Sequence, residues 1–292
     1  MDWLSGFANP IERDVPLGDL TWYRIGGRAR YLSRPDNESE LERLVRRASE
    51  QGVDLKILGR GANVLVRDNG FNGVVVRLDT PAFQRTEVNG ERVRVGAGVD
   101  LMRLAKRLSH DGLSGLECMA GIPGTIGGAV RMNAGGQFGC IGDVVERCRL
   151  LDANGVIETW SKDRLAFGYR ISAIGDRVVL SADLRLRRSD RAETRRRFEE
   201  IFAAKTASQP ISERSAGCVF KNPPGASAGA LIDAAGLKGS RCGGAVVSQR
   251  HANFICADPS AKASDVERLA GMIAKRVRAE YGTELELEID IW

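Results

Sequence analysis

Gly121-Ile-Pro-Gly-Thr-Ile-Gly-Gly-Ala-Val-Arg-Met-Asn-Ala-Gly-Gly136 is the stretch that decides the fold of this 292-residue chain. Its clustered glycines allow positive φ and bring the backbone within hydrogen-bonding distance of a pyrophosphate. A second cluster lies upstream, Gly59-Arg-Gly61-Ala-Asn63, with Asn63 and Asn133 beside the two. Two clusters of this density point to a dinucleotide cradle rather than to isolated tight turns. The cradle is not of the Rossmann kind. Gly59-Arg-Gly61 has no glycine three positions further on, and it leads into the strand-like Val64-Leu-Val66 instead of a helix.

Elements on either side alternate between helix and strand. Ser39-Glu-Leu-Glu42 reads as a capping box opening a helix whose apolar face is Leu41, Leu44, Val45 and Ala48, stopped by Gly52. Strands are expected at 54–58 and 73–78, the glycine turn and Val64–Val66 lying between them. A strand at 92–95 follows, then a helix capped by Asp100 carrying Leu101, Leu104, Ala105 and Leu108, ending near Gly112. Strands are expected around 144–151, 155–160 and 177–187. A helix at 190–206 turns Phe198, Ile201 and Phe202 inward. Beyond residue 207, Ser264-Asp-Val-Glu267 reads as another capping box, and Val266, Leu269, Ala270, Ile273 and Val277 recur at helical spacing as far as Gly282. Residues 284–291 alternate as a terminal strand.

Composition excludes several classes of function. A hydrophobic content of 43% with 28% charged residues is that of a globular protein. No apolar run approaches the roughly 18 residues of a membrane span, and the first residues show no signal peptide. No membrane insertion is expected, and the chain reads as cytoplasmic. The net charge of +5 is spread, and its densest run, Arg187 to Arg197, is interleaved with Asp190 and Glu193. That run reads as a solvated helix face, and no nucleic acid is expected as partner. A modest positive field suits an anionic small molecule. The six cysteines form no metal-ligand spacing and only His110 and His251 are available to complete a site, so no metal is expected.

A second stretch carries chemistry: Arg214-Ser-Ala-Gly-Cys-Val-Phe-Lys-Asn-Pro223. Ala216 and Gly217 leave little bulk around the Cys218 thiol, Lys221 brings a point charge, and Asn222 brings both a donor and an acceptor. Such a segment suits an anionic substrate rich in oxygen, with one group placed to hand over a proton.

With these stretches in view, the chain resembles the UDP-N-acetylenolpyruvoylglucosamine reductase family. The matching motifs are Thr21-Trp-Tyr-Arg-Ile-Gly-Gly27, Leu58–Val66, Gly121–Val130 with Met132-Asn-Ala-Gly135, Phe167-Gly-Tyr-Arg170, Ser215–Pro223, Ala235-Gly-Leu-Lys-Gly239, Val247-Ser248 with His251-Ala-Asn-Phe254, and Leu285-Glu-Leu-Glu288. They run in family order over more than nine-tenths of the chain. The short interval between Arg170 and Val178 resembles the family's shorter type, without its tyrosine-bearing insertion.

The resemblance implies an α+β chain. Its FAD-binding fold is of the vanillyl-alcohol oxidase (PCMH) type, made of two α+β subdomains at 1–78 and 79–190. A bridging helix at 191–206 leads to a smaller α/β substrate-binding domain at 207–292. It implies NADPH and non-covalent FAD as cofactors, and UDP-N-acetylglucosamine enolpyruvate as the substrate reduced to UDP-N-acetylmuramate for peptidoglycan. No obligate protein partner is inferred. Hydride would pass from flavin N5 to the terminal carbon of the enolpyruvyl double bond. Cofactor contacts carry over to Gly59, Arg60, Gly61, Ala62, Asn63, Gly121, Gly124, Thr125, Gly127, Gly128, Asn133, Ala134 and Gly135. Substrate contacts carry over to Tyr169, Lys205, Lys221 and Asn222.

Three catalytic roles also carry over. Arg170 is implied as the cation that polarises the substrate carboxylate and holds the developing enolate, and Glu288 as the carboxylate assisting protonation. Spacing alone does not choose among Glu284, Glu286 and Glu288, which would share one face of a strand. Cys218 stands where the family usually has a serine proton donor. A thiol of ordinary pKa is largely protonated at neutral pH and can make the same transfer, so activity is expected to fall at alkaline pH and on thiol alkylation. Arg60 replaces a usual glycine, and Arg28 and Arg30 flank the first motif, facing either pyrophosphate or water. His251 reads as a structural or substrate-side hydrogen bonder. Two other readings remain open here: a related FAD oxidase of an alcohol or lactone, and a flavin-binding relative disabled at Cys218.

Overall fold

The computed structural model describes residues 4–292, and its chain divides into two compact units. Of the described residues, the first comprises 4–13, 31–59 and 73–205, the second 14–30, 60–72 and 206–292. Seven α-helices occur among the described residues: α1 (Glu38–Glu50), α2 (Leu101–His110), α3 (Ile126–Arg131), α4 (Lys162–Leu165), α5 (Arg191–Ser208), α6 (Ala228–Ala234) and α7 (Ala263–Tyr281).

In the first unit, a five-stranded antiparallel sheet runs in the order Ile157–Ser161, Val145–Leu151, Val178–Arg185, Arg92–Gly96, Thr86–Asn89. Its register sets Cys148 opposite Ala182 and Ala182 opposite Val95, so period-two alternation turns these three inward together. On the other face Asp183 takes Arg94 at 2.8 Å and Arg147 at 2.5 Å. The α2 side chains Leu101, Leu104, Ala105 and Leu108 share a core with Val93, Val95 and Leu180. Asp100 caps α2 through the Arg103 amide, as its position predicts. Leu55–Ile57 pairs in parallel with Val74–Val76, and Leu41, Leu44, Val45 and Ala48 of α1 are buried.

The cap of α1 is not Ser39. The Asn37 carboxamide accepts the Glu40 amide at 3.0 Å, two residues earlier than the capping-box reading; Asn caps as well as Ser, and the helix already includes Ser39. On α5, Phe198 and Ile201 are buried as expected, whereas Phe202 is 36% exposed and stacks on Phe198 at 6.5 Å. Phe202 follows directly on Ile201, 100° around the helix, and falls off the buried stripe.

The second unit has its own core, in which Tyr23, Ile25 and Leu65 join Val219, Phe220, Ile232, Val247, Ile255 and the inner face of α7. An antiparallel sheet of Arg241–Cys242, Ala245–Val247 and Ile255–Ala257 lies with α7, whose Val266, Leu269, Ala270, Ile273 and Val277 are buried as their spacing predicts. The expected terminal strand over 284–291 is shorter in the structure. Only Asp290–Ile291 pairs, in parallel with Val64–Leu65, and Leu287 makes a single bridge to Phe220. The Ser264 capping box is also replaced. The Ala263 and Ser264 amides donate to Asp68 at 2.8 and 3.1 Å, and Asp265 accepts from Lys262 and Gly244.

The contacts divide the chain differently from a boundary at residue 78. Segments 14–30 and 60–72 group with residues 206–292, because Val64–Leu65 pairs with the C-terminal strand and Asp68 caps α7. Asp68→Ala is expected to cost about 1 kcal/mol of stability, read as a lower denaturation midpoint, since it leaves two amides at a helix start without their acceptor.

Candidate active site

In the first unit the glycine stretch is held from below by the sheet. Ile126 donates to Val99 and Gly127 to Ala97, while Leu101 donates to Gly124. Thr125 caps α3 by accepting the Gly128 amide at 3.4 Å. Gly59 belongs beside it: a Cβ there would lie 2.7 Å from Thr125 Oγ1. The two glycine clusters, separated by about sixty residues of sequence, therefore meet at Gly59 and Thr125. A Cβ added at Gly124 (φ +150°) or at Gly136 would meet nothing, so the backbone there is open to a ligand. Gly135 is closed instead, its missing Cβ lying 2.4 Å from the Gly139 carbonyl in the short hairpin Gly135–Gly136/Gly139–Cys140.

Asn133 has a left-handed backbone (φ +45°) and a buried side chain. Its Oδ1 accepts the Gly142 amide at 3.0 Å and its Nδ2 donates to the Gly168 carbonyl at 2.8 Å. The carboxamide thus ties the end of the glycine stretch to the turn bearing Tyr169 and Arg170. In that turn Gly168 and Ile171 exchange backbone hydrogen bonds, Tyr169 is 54% exposed, and Arg170 lies with φ +57°, its guanidinium over the Tyr169 ring at 5.3 Å. An arginine in this region stores strain of roughly 1–3 kcal/mol, which the surrounding turn must impose.

Lys205, on α5, is 9% exposed and donates from Nζ to the Cys118 carbonyl at 3.0 Å, its stem against Gly121. Burial lowers its pKa to about 8, and the Arg170 charge pushes the same way. Between about pH 8 and the ordinary lysine range, the unfolded chain binds the proton that the folded chain has lost. Stability is therefore expected to rise with pH through that window and to be flat below it. Denaturation midpoints across the window check this, and Lys205→Met should abolish the rise.

In the second unit, Gly217 (φ +77°) turns the chain into Cys218, which is half-buried. The following residues lie beside the C-terminal segment: Glu288 donates its amide to the Val219 carbonyl, and Lys221 donates its amide to the Glu286 carbonyl, both at 2.8 Å. Val219, the residue after Cys218, is thereby paired with Glu288. Exposure separates the three glutamates that spacing left equivalent. Glu284 is exposed and pairs with Arg278 at 3.2 Å, Glu286 is exposed and pairs with Lys221 at 2.5 Å, and only Glu288 is half-buried.

Asn63 reaches the same segment, donating to the Glu288 carbonyl at 3.1 Å and accepting the Asp290 amide on its own carbonyl. Gly61 (φ +64°) packs on Leu20 and Thr21, where a Cβ would sit 2.5 Å from a carbonyl oxygen, while Arg60 is exposed. Arg28 pairs with Asp14 and Arg30 donates to Asn72, so both have protein partners. Asn222 accepts the Ala228 amide at the start of α6. His251 Nδ1 accepts the Asn253 amide at 3.2 Å, and burial together with the Lys238 charge lowers its pKa.

The domain order and motifs match known proteins. The UDP-N-acetylenolpyruvoylglucosamine reductase C-terminal domain profile matches residues 209–292, and the FAD binding domain profile matches residues 29–161. The reductase of that name from Methylorubrum populi is 43% identical over 274 residues, spanning 94% of this chain and 88% of the relative. The chain belongs to the UDP-N-acetylenolpyruvoylglucosamine reductase family. It is accordingly an FAD-dependent oxidoreductase. A second member, UDP-N-acetylenolpyruvoylglucosamine reductase 2 of Symbiobacterium thermophilum, is 41% identical over 97% of this chain and 92% of its own. The crystal structure of the family's reductase from Thermus caldophilus superposes with a TM-score of 0.85 at 40% identity, covering 97% of this chain and 98% of that one. The glycine stretch fits the cofactor that the family implies: the open faces at Gly124 and Gly136 form a side-chain-free surface, with a capping hydroxyl at Thr125. Among the described residues, no helix is long and apolar enough to cross a membrane.

Asn253 lies within the motif His251–Phe254, and its role is one that the motif alone does not show. The signal was present in an asparagine between apolar residues in a segment otherwise reading as a strand start.

Proposed function

We propose that this chain reduces the enolpyruvyl group of UDP-N-acetylglucosamine enolpyruvate to give UDP-N-acetylmuramate for peptidoglycan synthesis, using NADPH and non-covalently bound FAD in the cytoplasm. The observation that supports this reading is the backbone pairing of Val219, next to Cys218, with Glu288, within a chain matching the family over 94% of its length. The chemistry FAD supplies when bound is transfer of a hydride from NADPH to the terminal carbon of the enolpyruvyl double bond. Backbone and side chains at Gly59–Asn63, Gly121, Gly124, Thr125, Gly127, Gly128 and Asn133–Gly135 would hold the cofactor.

Negative charge then develops toward the substrate carboxylate, and Arg170 offsets it with a planar, permanently charged fork. The adjacent carbon takes a proton from Cys218 Sγ; the resulting thiolate recovers its proton from solvent between turnovers. Glu288 assists that protonation. Tyr169, Lys205, Lys221 and Asn222 bind the sugar nucleotide.

Anaerobic stopped-flow absorbance tests the reading. NADPH should bleach the bound flavin, and the sugar nucleotide should restore its colour without oxygen. Colour that returns only with oxygen would favour an oxidase.

A further inference from the structure

We infer that Asn253 is a positioning residue for the Cys218 proton donor, acting by clamping the backbone next to it. Asn253 is 3% exposed, and it engages both polar groups of Phe220: Oδ1 accepts the Phe220 amide at 2.9 Å and Nδ2 donates to the Phe220 carbonyl at 2.7 Å. A carboxamide used this way stands in for the neighbouring strand that the segment lacks, since it offers one acceptor and one donor at backbone spacing. The main chain of Asn253 adds a third bond, accepting the Val219 amide at 2.8 Å.

Asn253 is itself fixed. Its amide donates to His251 Nδ1, and the His251 ring packs edge-on against Phe254 at 4.9 Å. The same segment is held on Glu286 and Glu288, through the Glu288 and Lys221 amides. Residues 219–221 thus have partners on Asn253 and on Glu286–Glu288, and Cys218 is the residue that enters this clamp from the glycine turn at 217. A proton donor must sit within hydrogen-bond reach of the carbon it serves, and a displacement of about 1 Å can cost on the order of a hundredfold in rate. The clamp sets the position of the Cys218 Cα relative to the Glu288 backbone. It does so without Asn253 touching the reacting atoms.

This inference rests on the proton-donor reading of Cys218, and the test separates the two. FAD-loaded wild type, Asn253→Ala, Asn253→Asp and Cys218→Ala are compared in the two anaerobic half-reactions and by amide hydrogen exchange. Asn253→Ala should bleach with NADPH within about twofold of wild type, return colour with the sugar nucleotide about tenfold more slowly or worse, and exchange faster at residues 219–221. Asn253→Asp keeps the acceptor for the Phe220 amide but turns a second oxygen toward the Phe220 carbonyl, so it too should slow colour return without slowing bleaching; it carries the test if the alanine variant does not fold. Equal loss in both half-reactions, or unchanged colour return alongside faster exchange, overturns the positioning role. Cys218→Ala returning colour at the wild-type rate sinks the proton-donor reading, and the catalytic half of this inference with it. If wild type itself does not respond to the sugar nucleotide, the functional reading fails, and unchanged exchange in Asn253→Ala would then also overturn the clamp.

Discussion

Arg170→Ala is expected to lower the rate of substrate reduction by about a thousandfold while leaving FAD content and NADPH-dependent bleaching near wild type. The expectation follows from where the strain lies. Arg170 lies at φ +57° in a turn held by the Gly168–Ile171 backbone bonds and by the Asn133 carboxamide. A surface arginine at the end of a strand would have no reason to stay in that conformation. Arg170→Lys keeps the charge but loses the planar fork, and should recover only part of the loss. Rapid-mixing absorbance of each half-reaction reads the split. A variant slowed equally in both halves would mean that Arg170 supports the fold rather than the chemistry.

Cys218→Ala should slow substrate reduction by about a hundredfold or more, the usual contribution of a positioned general acid. Cys218→Ser should stay within about tenfold of wild type, since serine is the group this family usually places there. The pair separates proton donation from packing, because serine and alanine both leave space where the larger sulfur was. Alkylation adds a second reading. An iodoacetamide-treated wild type should lose substrate reduction and keep NADPH bleaching, whereas Cys218→Ser should be insensitive. Inhibition that persists in Cys218→Ser would assign the sensitive thiol elsewhere, for instance to half-buried Cys140 or Cys242.

The helices and the main sheet were legible because their side chains carry the period of the element. The α2 face 101, 104, 105, 108 and the α7 face 266, 269, 270, 273, 277 are buried as read. What was not legible depends on partners far away in sequence. Asp68 caps α7 from about 195 residues upstream, replacing a local box that matched the pattern. Val64–Leu65 pairs with Asp290–Ile291, which groups residues 60–72 with the C-terminal segment far away in sequence.

The same holds for the candidate site. The glycine clusters were recognisable from density alone, but their meeting at Gly59 and Thr125 needed coordinates. Three alternating glutamates looked equivalent until burial set half-buried Glu288 apart from exposed Glu284 and Glu286. Asn63, Asn133 and Asn253 share a further lesson. Each directs its carboxamide to backbone groups of a segment carrying a candidate catalytic residue. A one-dimensional motif shows such an asparagine without showing what it holds.

Steady-state NADPH consumption by the FAD-loaded protein under anaerobic conditions, with and without UDP-N-acetylglucosamine enolpyruvate, decides whether this chain is the reductase proposed. Oxidation should require the sugar nucleotide, with one UDP-N-acetylmuramate formed per NADPH consumed. Flavin-loaded protein that oxidises no NADPH in response to the sugar nucleotide would rule the reductase reading out.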